Sequence, residues 1–476
     1  MTERKTLVER IEAGAGGFGP IRGTLGTGRI LLIWLAANLV VTTLLTGTLF
    51  VPGVSWPEAI GWIVVGTLLG AIVLTLIGVM GVRTGLPTMS LTRGSFGLRG
   101  QMVPAIANVI VLMGWSWVQA MLAGISIDWL VAQATGVSNP AMWAAICQAI
   151  VVALAIFGHE GIARIEPFFA LVILGIMAYI FITALTTFDV AAFAAIEPDP
   201  AAGMSSSLVF DIVFATAISW TVLSADLTRS ARTQRAGAVG ASVGYSLSTI
   251  LTMVLGATAI AFVLLRGGEA IPFDPVTIIE AFGAPLAIAI FLSVMATNTM
   301  VMYGMTLSLT NALPTRKPLR FLPTALVVGV VAIVGSTWLG LLEQFTTFLS
   351  TIGALFIPVF AIMIVDYYLV RGRAYSREIL AKRGGRYWFT GGWHWPAVVT
   401  WAVGAVTYLA LAFWWASPIG AALPTFAVAV LLYWLLARAT RVGAGERETQ
   451  EHLADAPAHD DADAPARPVE PGAERA

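Results

Sequence analysis

The sequence predicts an all-α integral membrane protein with twelve transmembrane helices. Of its 476 residues, 58% are hydrophobic and only 11% are charged, whereas soluble domains carry about 25% charged residues. Stretches without Asp, Glu, Lys or Arg recur at the length of about 20 residues that a bilayer-spanning helix needs. The basic residues are confined to the connections on one side of these stretches. Together these observations exclude an ordinary soluble enzyme, a disordered chain and a nucleic-acid-binding protein.

Eleven charge-poor stretches account for the twelve predicted spans, because the last one is long enough for two. The stretches are Ile30–Pro57, Ala59–Val82, Gly100–Ile127, Trp129–Gly158, Pro167–Phe188, Ser207–Ala225, Ala236–Leu265, Ala281–Thr315, Phe321–Leu342, Gln344–Val365 and Phe389–Ala437. Only one of them contains a charge, Asp211. We expect this carboxylate near the outer end of the sixth span, where water can reach it.

The basic residues orient the twelve spans. The chain has 27 Lys and Arg residues, and with twelve spans Arg266 is the one that falls on the side opposite to the N-terminus. Basic residues are enriched in cytoplasmic connections. We therefore predict a multi-pass protein of the plasma membrane with both termini in the cytoplasm.

The two ends of the chain differ in composition from the rest. Residues 1–28 are polar and Gly-rich without the short apolar core of a signal peptide, so we expect a cytoplasmic segment there. Residues 29–442 form the predicted transporter domain. Residues 443–476 are rich in Ala, Pro, Asp and Glu and are predicted to be a disordered acidic tail. A single cysteine, Cys147, and four scattered histidines predict neither a disulfide nor a metal site.

The third span carries a polar and aromatic pair. Trp115 and Gln119 are four residues apart and therefore share one face of a helix. An indole offers a flat stacking surface, and a carboxamide offers both donors and an acceptor, so the pair suits a planar heteroaromatic ring with an amide edge. Packing of Trp115 and an interhelical hydrogen bond from Gln119 remain the structural alternative.

The sixth span carries a second polar cluster. Trp220 lies among Ser219, Thr221 and Ser224, and hydroxyl side chains can satisfy the backbone where a membrane helix breaks. Asp226 and Arg229 follow at the cytoplasmic end of the span, where we expect an ion pair or a helix cap.

Polar residues also interrupt the first and eighth spans. Asn38 follows Ala36 and precedes three threonines in the first span, and Asn298 lies between Thr297 and Thr299 in the eighth. Polar residues within a membrane are costly and mark functional sites by default. Backbone carbonyls at an unwound point together with threonine hydroxyls suit a hard cation such as Na⁺. Interhelical hydrogen bonding is the alternative.

Five segments in this order resemble the nucleobase–cation symporter-1 family, in particular its cytosine/purine permease branch. The segments are Gly81–Gly97, Gly114–Gln119, Ser219–Arg229, Pro358–Arg371 and Gly391–His394. The resemblance extends from about residue 20 to about residue 440. It implies a LeuT-like fold, with inverted repeats over about 29–188 and about 206–371 and two further helices over about 394–438. Such repeats place the substrate at mid-membrane, where the first and sixth helices break.

The resemblance also implies roles for particular residues. Trp115 and Trp220 would stack on a base, Gln119 would read its edge, and the polar candidates Asn298 and Asn38 would complete the substrate site. A coupling cation would be held by the groups that match the family's cation site: the carbonyls of Ala36, Leu39 and Ser293, and the hydroxyl of Thr297.

The sequence departs from the family pattern at four positions. Val222 stands where the branch has a proline, Leu227 replaces an aromatic residue, and His394 replaces an asparagine. Ala296 stands where Na⁺-coupled members can have a serine hydroxyl next to Thr297. The coupling ion is therefore predicted to be Na⁺ or H⁺, and no other cofactor is expected.

We accordingly predict a secondary active transporter, not an enzyme, that imports a nucleobase or a related planar heterocycle with a cation. Cytosine or a purine is the first expectation, and hydroxymethylpyrimidine, allantoin or hydantoin is the alternative. An amino-acid transporter of the same architecture is less well supported, because the core lacks a charged partner for a zwitterion. A channel would need a repeated filter sequence, and a membrane enzyme would need a nucleophile and base at an interface.

Overall fold

A computed structural model describes residues 19–157, 160–312, 319–415, 417–442 and 452–455, and most of them are helical. We number the helices in chain order. They are α1 Thr27–Asn38, α2 Val41–Gly47, α3 Trp56–Thr84, α4 Thr88–Phe96, α5 Met102–Thr135, α6 Pro140–Phe157, α7 Glu160–Thr187, α8 Val190–Ala194, α9 Ser206–Thr221, α10 Ser224–Thr228, α11 Gln234–Leu265, α12 Pro275–Phe282, α13 Ala284–Ala312, α14 Phe321–Ser336, α15 Phe345–Ile364, α16 Trp395–Phe413 and α17 Ala422–Ala439.

The helices have the length and composition expected of a membrane bundle. Within the described ranges, nine helical segments are long and apolar enough to cross a bilayer, and the bent pair α1 and α2 adds a tenth. Two shorter apolar helices are Leu171–Thr187, within α7, and α14. The all-helical membrane fold predicted from the sequence is confirmed, and these elements are consistent with twelve spans. The limits of the two inverted repeats remain a prediction.

Two of the spans are broken near their middle. The axes of α1 and α2 differ by 64° across a break of two residues, where Val40 is extended with φ −127° and ψ 149°. The sixth span breaks at Val222 and Leu223, between α9 and α10. Thr221 lies just before this break and donates a hydrogen bond from its hydroxyl to the carbonyl of Ala217 at 2.7 Å. The breaks expected in the first and sixth spans are therefore both present.

Glycines bring α2 into direct backbone contact with α11. A Cβ atom at Gly47 would overlap the carbonyl oxygen of Met253, and one at Gly256 would overlap the carbonyl oxygen of Leu44. Small residues allow membrane helices to approach this closely. The second half of the first span, α2, is thereby packed on α11 without intervening side chains at these positions.

The segment before α1 contacts the ends of two other spans. Ile21 donates from its amide to the carbonyl of Gly85 at 3.0 Å, and Leu25 donates to the carbonyl of Ser230 at 2.8 Å. Arg22 forms an ion pair with Asp455, which belongs to a single turn of 3-10 helix from the C-terminal tail. The rest of the predicted tail, and residues 1–18, lie outside the described residues.

The structure shows the surroundings of two acidic side chains, Asp226 and Asp211, whose environments were predicted from the sequence. Asp226 is a cap, because its carboxylate accepts a hydrogen bond from the amide of Thr88 at 2.9 Å, at the start of α4. The prediction that water reaches Asp211 is wrong, since this residue is only 7% exposed. Its carboxylate accepts hydrogen bonds from the amides of Ala421 and Ala422, at 2.6 and 2.9 Å. Asp211 thus satisfies amides at the start of α17, a role that its position in sequence does not reveal.

Candidate functional site

A cavity lies where the two broken spans meet α5 and α13. It is lined by Thr42, Thr43, Thr46, Leu112, Trp115, Gln119, Thr216, Ser219, Trp220, Val222, Leu223, Thr297 and Val301. The lining combines aromatic and aliphatic surface with a few polar groups, as small-molecule sites usually do. Among the described residues, none of the lining side chains carries a charge. The cavity therefore suits a neutral ligand that is partly apolar and partly hydrogen-bonding.

The indole of Trp115 is fixed in orientation by its neighbours. Its Nε1 donates to the Ser219 hydroxyl at 2.8 Å, which joins α5 to α9 just before the break. The rings of Phe345 and Phe348, from the start of α15, pack edge-on against it at centroid distances of 5.8 and 5.4 Å. Edge-to-face pairs of this kind are favourable contacts. The Trp115 ring is therefore held as part of the cavity wall.

Trp220 lines the same cavity from α9, just before its break. The ring of Trp34, from α1, packs edge-on against it with centroids 6.5 Å apart. Trp34 is itself anchored by a hydrogen bond from its Nε1 to the hydroxyl of Thr228 at 3.1 Å. Two indoles from different spans, Trp115 and Trp220, thus border one cavity, as the sequence predicts.

Gln119 is the lining residue with an unused hydrogen-bonding capacity. It lies one turn beyond Trp115 on α5 and is only 3% exposed. Its side-chain oxygen has no hydrogen-bond partner within the described structure. A buried acceptor without a partner costs about 1–3 kcal/mol, so its presence requires an explanation. A ligand that donates to this oxygen would provide one.

The two asparagines predicted for the substrate site lie outside the cavity lining. Asn298 is 1% exposed, and its Nδ2 donates to the carbonyl of Ser116 at 3.1 Å and to Oε1 of Gln148 at 2.9 Å. Asn38 donates from Nδ2 to the hydroxyls of Ser248 and Thr249 on α11. Both amides join helices behind the site, and neither borders the cavity itself.

The predicted cation-binding groups gather at the break of the first span. The amide of Val41 donates to the Ser293 hydroxyl at 3.4 Å, which brings α13 to the start of α2. The Thr297 hydroxyl donates to the carbonyl of Ser293 at 3.0 Å. In the described residues, the carbonyls of Ala36 and Leu39 accept no backbone hydrogen bond across the break. Oxygen atoms are the ligands that hard cations prefer, and the cation-binding role of these groups remains a prediction.

Sequence reasoning missed two features of this region. Thr216 lines the cavity from α9, and no sequence pattern distinguishes it from the other hydroxyl residues of that span. Gln148 lies on α6 and is fully buried, with its Nε2 donating to the hydroxyl of Ser116 at 3.0 Å. A lone carboxamide in an apolar span is a detectable signal, and it would have shown that Asn298 has a partner other than substrate.

Comparison with known proteins identifies the class of transporter. Residues 24–435 match the family described as permeases for cytosine/purines, uracil, thiamine and allantoin. The chain belongs to this family of membrane permeases, which confirms the resemblance predicted from the sequence. Its relatives are transporters of small heterocyclic compounds and not enzymes.

Several curated permeases are similar over most of their length. A putative purine-cytosine permease of Bacillus subtilis (strain 168) is 27% identical over 75% of this chain and 78% of its own length. The hydantoin permease of Microbacterium maritypicum is 24% identical over 81% and 82%. The cytosine permease of Escherichia coli (strain K12) is 25% identical over 75% and 81%.

Solved structures agree on the fold. Mhp1, a nucleobase-cation-symport-1 family transporter, in a closed conformation with bromovinylhydantoin, matches with a TM-score of 0.71 and 23% identity, over 90% of this chain and 95% of that one. A Na⁺-coupled sialic acid symporter matches with a TM-score of 0.54 and 11% identity, over 94% and 100%. At these identities the likeness concerns the fold alone, and it confirms the LeuT-like architecture.

Proposed function

We propose that this permease imports a neutral, planar nitrogen heterocycle, a nucleobase such as cytosine or a purine, by cation symport. The observation that carries the proposal is the uncharged cavity at the two helix breaks, bordered by Trp115, Trp220 and Gln119. Two indoles suit the faces of a planar ring, and a carboxamide suits its edge. Hydantoin and allantoin, after which two relatives are named, are the alternative substrates.

The absence of charge in the described lining argues against a zwitterionic substrate. A free amino acid would bring an ammonium and a carboxylate into the cavity, and burying either without a charged partner is strongly unfavourable. A nucleobase is neutral near pH 7 and carries only amide-like groups. The same cavity therefore favours a heterocycle over an amino acid.

A coupling cation is supported by the oxygen groups at the break of α1 and α2. The carbonyls of Ala36, Leu39 and Ser293 and the hydroxyl of Thr297 are the proposed ligands. Ala296 contributes no oxygen from its side chain, so both Na⁺ and H⁺ are kept as coupling ions. Cytoplasmic termini are supported by the charge asymmetry of the sequence, and import across the plasma membrane is part of the proposal.

The proposal is tested by uptake into proteoliposomes containing the purified full-length protein. Radiolabelled cytosine, hypoxanthine and allantoin would be offered with an inward Na⁺ gradient, an inward H⁺ gradient, or neither. We expect accumulation of at least one heterocycle that depends on one of the two gradients. Uptake that needs neither gradient would disprove symport, and competition by free amino acids but not by heterocycles would disprove the substrate class.

A pair of tryptophan variants tests the location of the site. Trp115→Ala removes a stacking surface of the cavity, and we expect substrate binding to weaken by about tenfold or more, since stacking is worth about 1–3 kcal/mol per base. Trp117→Ala is the matched control, because Trp117 lies on the same helix but donates to the carbonyl of Val331 on α14. Equal effects of the two substitutions would show that the cavity is not the binding site.

A further inference from the structure

We infer that the cavity selects heterocycles with an exocyclic amine over their keto counterparts, because its wall offers more hydrogen-bond acceptors than free donors. This inference rests on the proposed function and narrows its substrate class. The observation behind it is the hydrogen-bond acceptor that each polar hydrogen of the lining has within the protein. Among the described residues, half of the donor hydrogens in the lining are already engaged within the protein, namely those of Thr43, Thr46, Trp115, Thr216 and Thr297.

Four of the five threonine hydroxyls in the lining donate their hydrogens to other groups of the protein. Thr46 donates to the carbonyl of Thr42 at 2.8 Å, and Thr216 donates to the carbonyl one turn before it at 2.9 Å. Thr297 does the same at 3.0 Å, and Thr43 donates to the side-chain oxygen of Asn38 at 3.4 Å. Bonding from a threonine to the carbonyl four residues earlier is a habit of helices. What each hydroxyl retains for a ligand is its lone pairs.

The indole and the carboxamide follow the same trend. The N–H of Trp115 is engaged by Ser219 at 2.8 Å, so this indole presents its face to the cavity and not a donor. The side-chain oxygen of Gln119 is a buried acceptor without a partner. The groups in the lining with donor capacity are the Gln119 amide nitrogen, the Trp220 indole nitrogen, and the hydroxyls of Thr42 and Ser219. The lining thus has seven side-chain oxygens that can accept against five donor hydrogens that remain free, so acceptors outnumber free donors.

Amino and keto nucleobases differ in the hydrogen-bonding partners that they need from the cavity wall. An amino group brings two N–H donors, which the threonine oxygens and the Gln119 oxygen can accept. A keto group at the same ring position brings only lone pairs, which would face the lone pairs of the wall. The ring nitrogen beside it gains one N–H, so the amino member still offers one donor hydrogen more than the keto member. A site built to pair a polar group discriminates strongly against an analogue that leaves the site's groups unpaired.

The inference is tested with two matched pairs of ligands, cytosine against uracil and adenine against hypoxanthine. Binding of each to the purified full-length protein would be measured by isothermal titration calorimetry. We expect the amino member of each pair to bind about tenfold tighter or more, by the pairing argument above. Equal affinities, or tighter binding of the keto members, would overturn this inference while leaving the proposed function intact. No binding of any of the four ligands would overturn the proposed function, and this inference with it.

Two threonine variants locate the preference in the wall. Thr46→Val and Thr216→Val remove one acceptor each while nearly preserving side-chain shape, and we expect each to reduce the amino-over-keto preference several-fold. Thr306→Val is the control, because Thr306 is equally buried on α13 and donates to the carbonyl one turn before it at 2.9 Å, but it lies outside the cavity lining. Retained binding of the keto ligands shows that a variant is folded. An unchanged preference in both wall variants, or an equal loss in Thr306→Val, would overturn the inference.

Discussion

The polar groups of the cavity differ sharply from those of a second buried cluster, just beyond the C-terminal end of α15. There the carboxylate of Asp366 is fully buried and accepts hydrogen bonds from Arg371 Nε at 2.9 Å and from the hydroxyls of Tyr375 and Tyr433 at 2.9 and 2.7 Å. The cavity, in contrast, holds no charge in the described lining, and its Gln119 oxygen has no partner.

The difference teaches how to separate stabilising polar residues from binding ones in a membrane protein. Both carboxylate oxygens of Asp366 already accept hydrogen bonds from within the protein. Gln119 has a hydrogen-bonding position left open at a cost to the folded protein. Burial alone does not distinguish the two residues, whereas the open acceptor of Gln119 together with its place in the cavity lining does. Four substitutions test this contrast, and they are arranged from the largest expected effect to the smallest.

The largest effect is expected from Asp366→Asn. This substitution removes the charge that pairs with Arg371, whose side chain is only 6% exposed. Breaking a buried ion pair by removing one partner costs about 3–5 kcal/mol, so we expect a clear loss of thermal stability in detergent. Glu343→Gln, at an exposed carboxylate in the connection before α15, is the control. An unchanged melting temperature for Asp366→Asn would contradict the structural role of the cluster.

Gln119→Ala should have the opposite profile. Removing the open acceptor deletes a proposed ligand contact but no hydrogen bond of that oxygen within the described protein, so stability should change far less than in Asp366→Asn. Substrate affinity should fall about tenfold to a hundredfold, as expected for the loss of about 1.4–2.7 kcal/mol. Calorimetric binding and thermal melting of the same sample measure both quantities. Normal binding by this variant would show that Gln119 does not read the substrate.

Ser219→Ala should have an intermediate effect on binding. It removes the acceptor that fixes the Trp115 indole, and a typical hydrogen bond contributes about 1 kcal/mol. We expect a loss of affinity of about threefold to tenfold, with the substrate preference shifted toward keto ligands because the Trp115 N–H becomes free to donate. Competition between cytosine and uracil checks this. A larger preference for cytosine would argue against the proposed use of donors in the wall.

The smallest effect is expected from Asp455→Asn. Arg22 donates to this carboxylate and so lowers the pKa of Asp455, but both side chains are largely exposed. Exposed ion pairs contribute little to stability. Their contribution is present above the unfolded pKa of about 3.9 and is lost as the pH falls through the lower folded value. The melting temperature at pH 7 should therefore match that of the unmodified protein, and a marked drop would reveal that the tail holds the fold together.

Much of this architecture could be predicted from the sequence, because a membrane helix has a strong signal in length and charge. The breaks in the first and sixth spans could also be predicted from the sequence. The same holds for the grouping of Trp115, Trp220 and Gln119 around one cavity. The helix faces on which Asn38 and Asn298 lie could not be predicted, because an apolar helix gives no indication of which side faces a neighbouring helix. Asn298 follows Thr297 by one residue, a rotation of about 100°, and that step turns its amide from the cavity toward Gln148.

The glycine contacts between α2 and α11 have a consequence for how the cavity can change shape. Backbones that touch leave no layer of side chains able to slide or repack between them. Thr42, Thr43 and Thr46 lie on α2, so this part of the wall is joined rigidly to a helix of 32 residues. We therefore expect the three hydroxyls to move together with α11, as a unit, whenever the cavity changes shape.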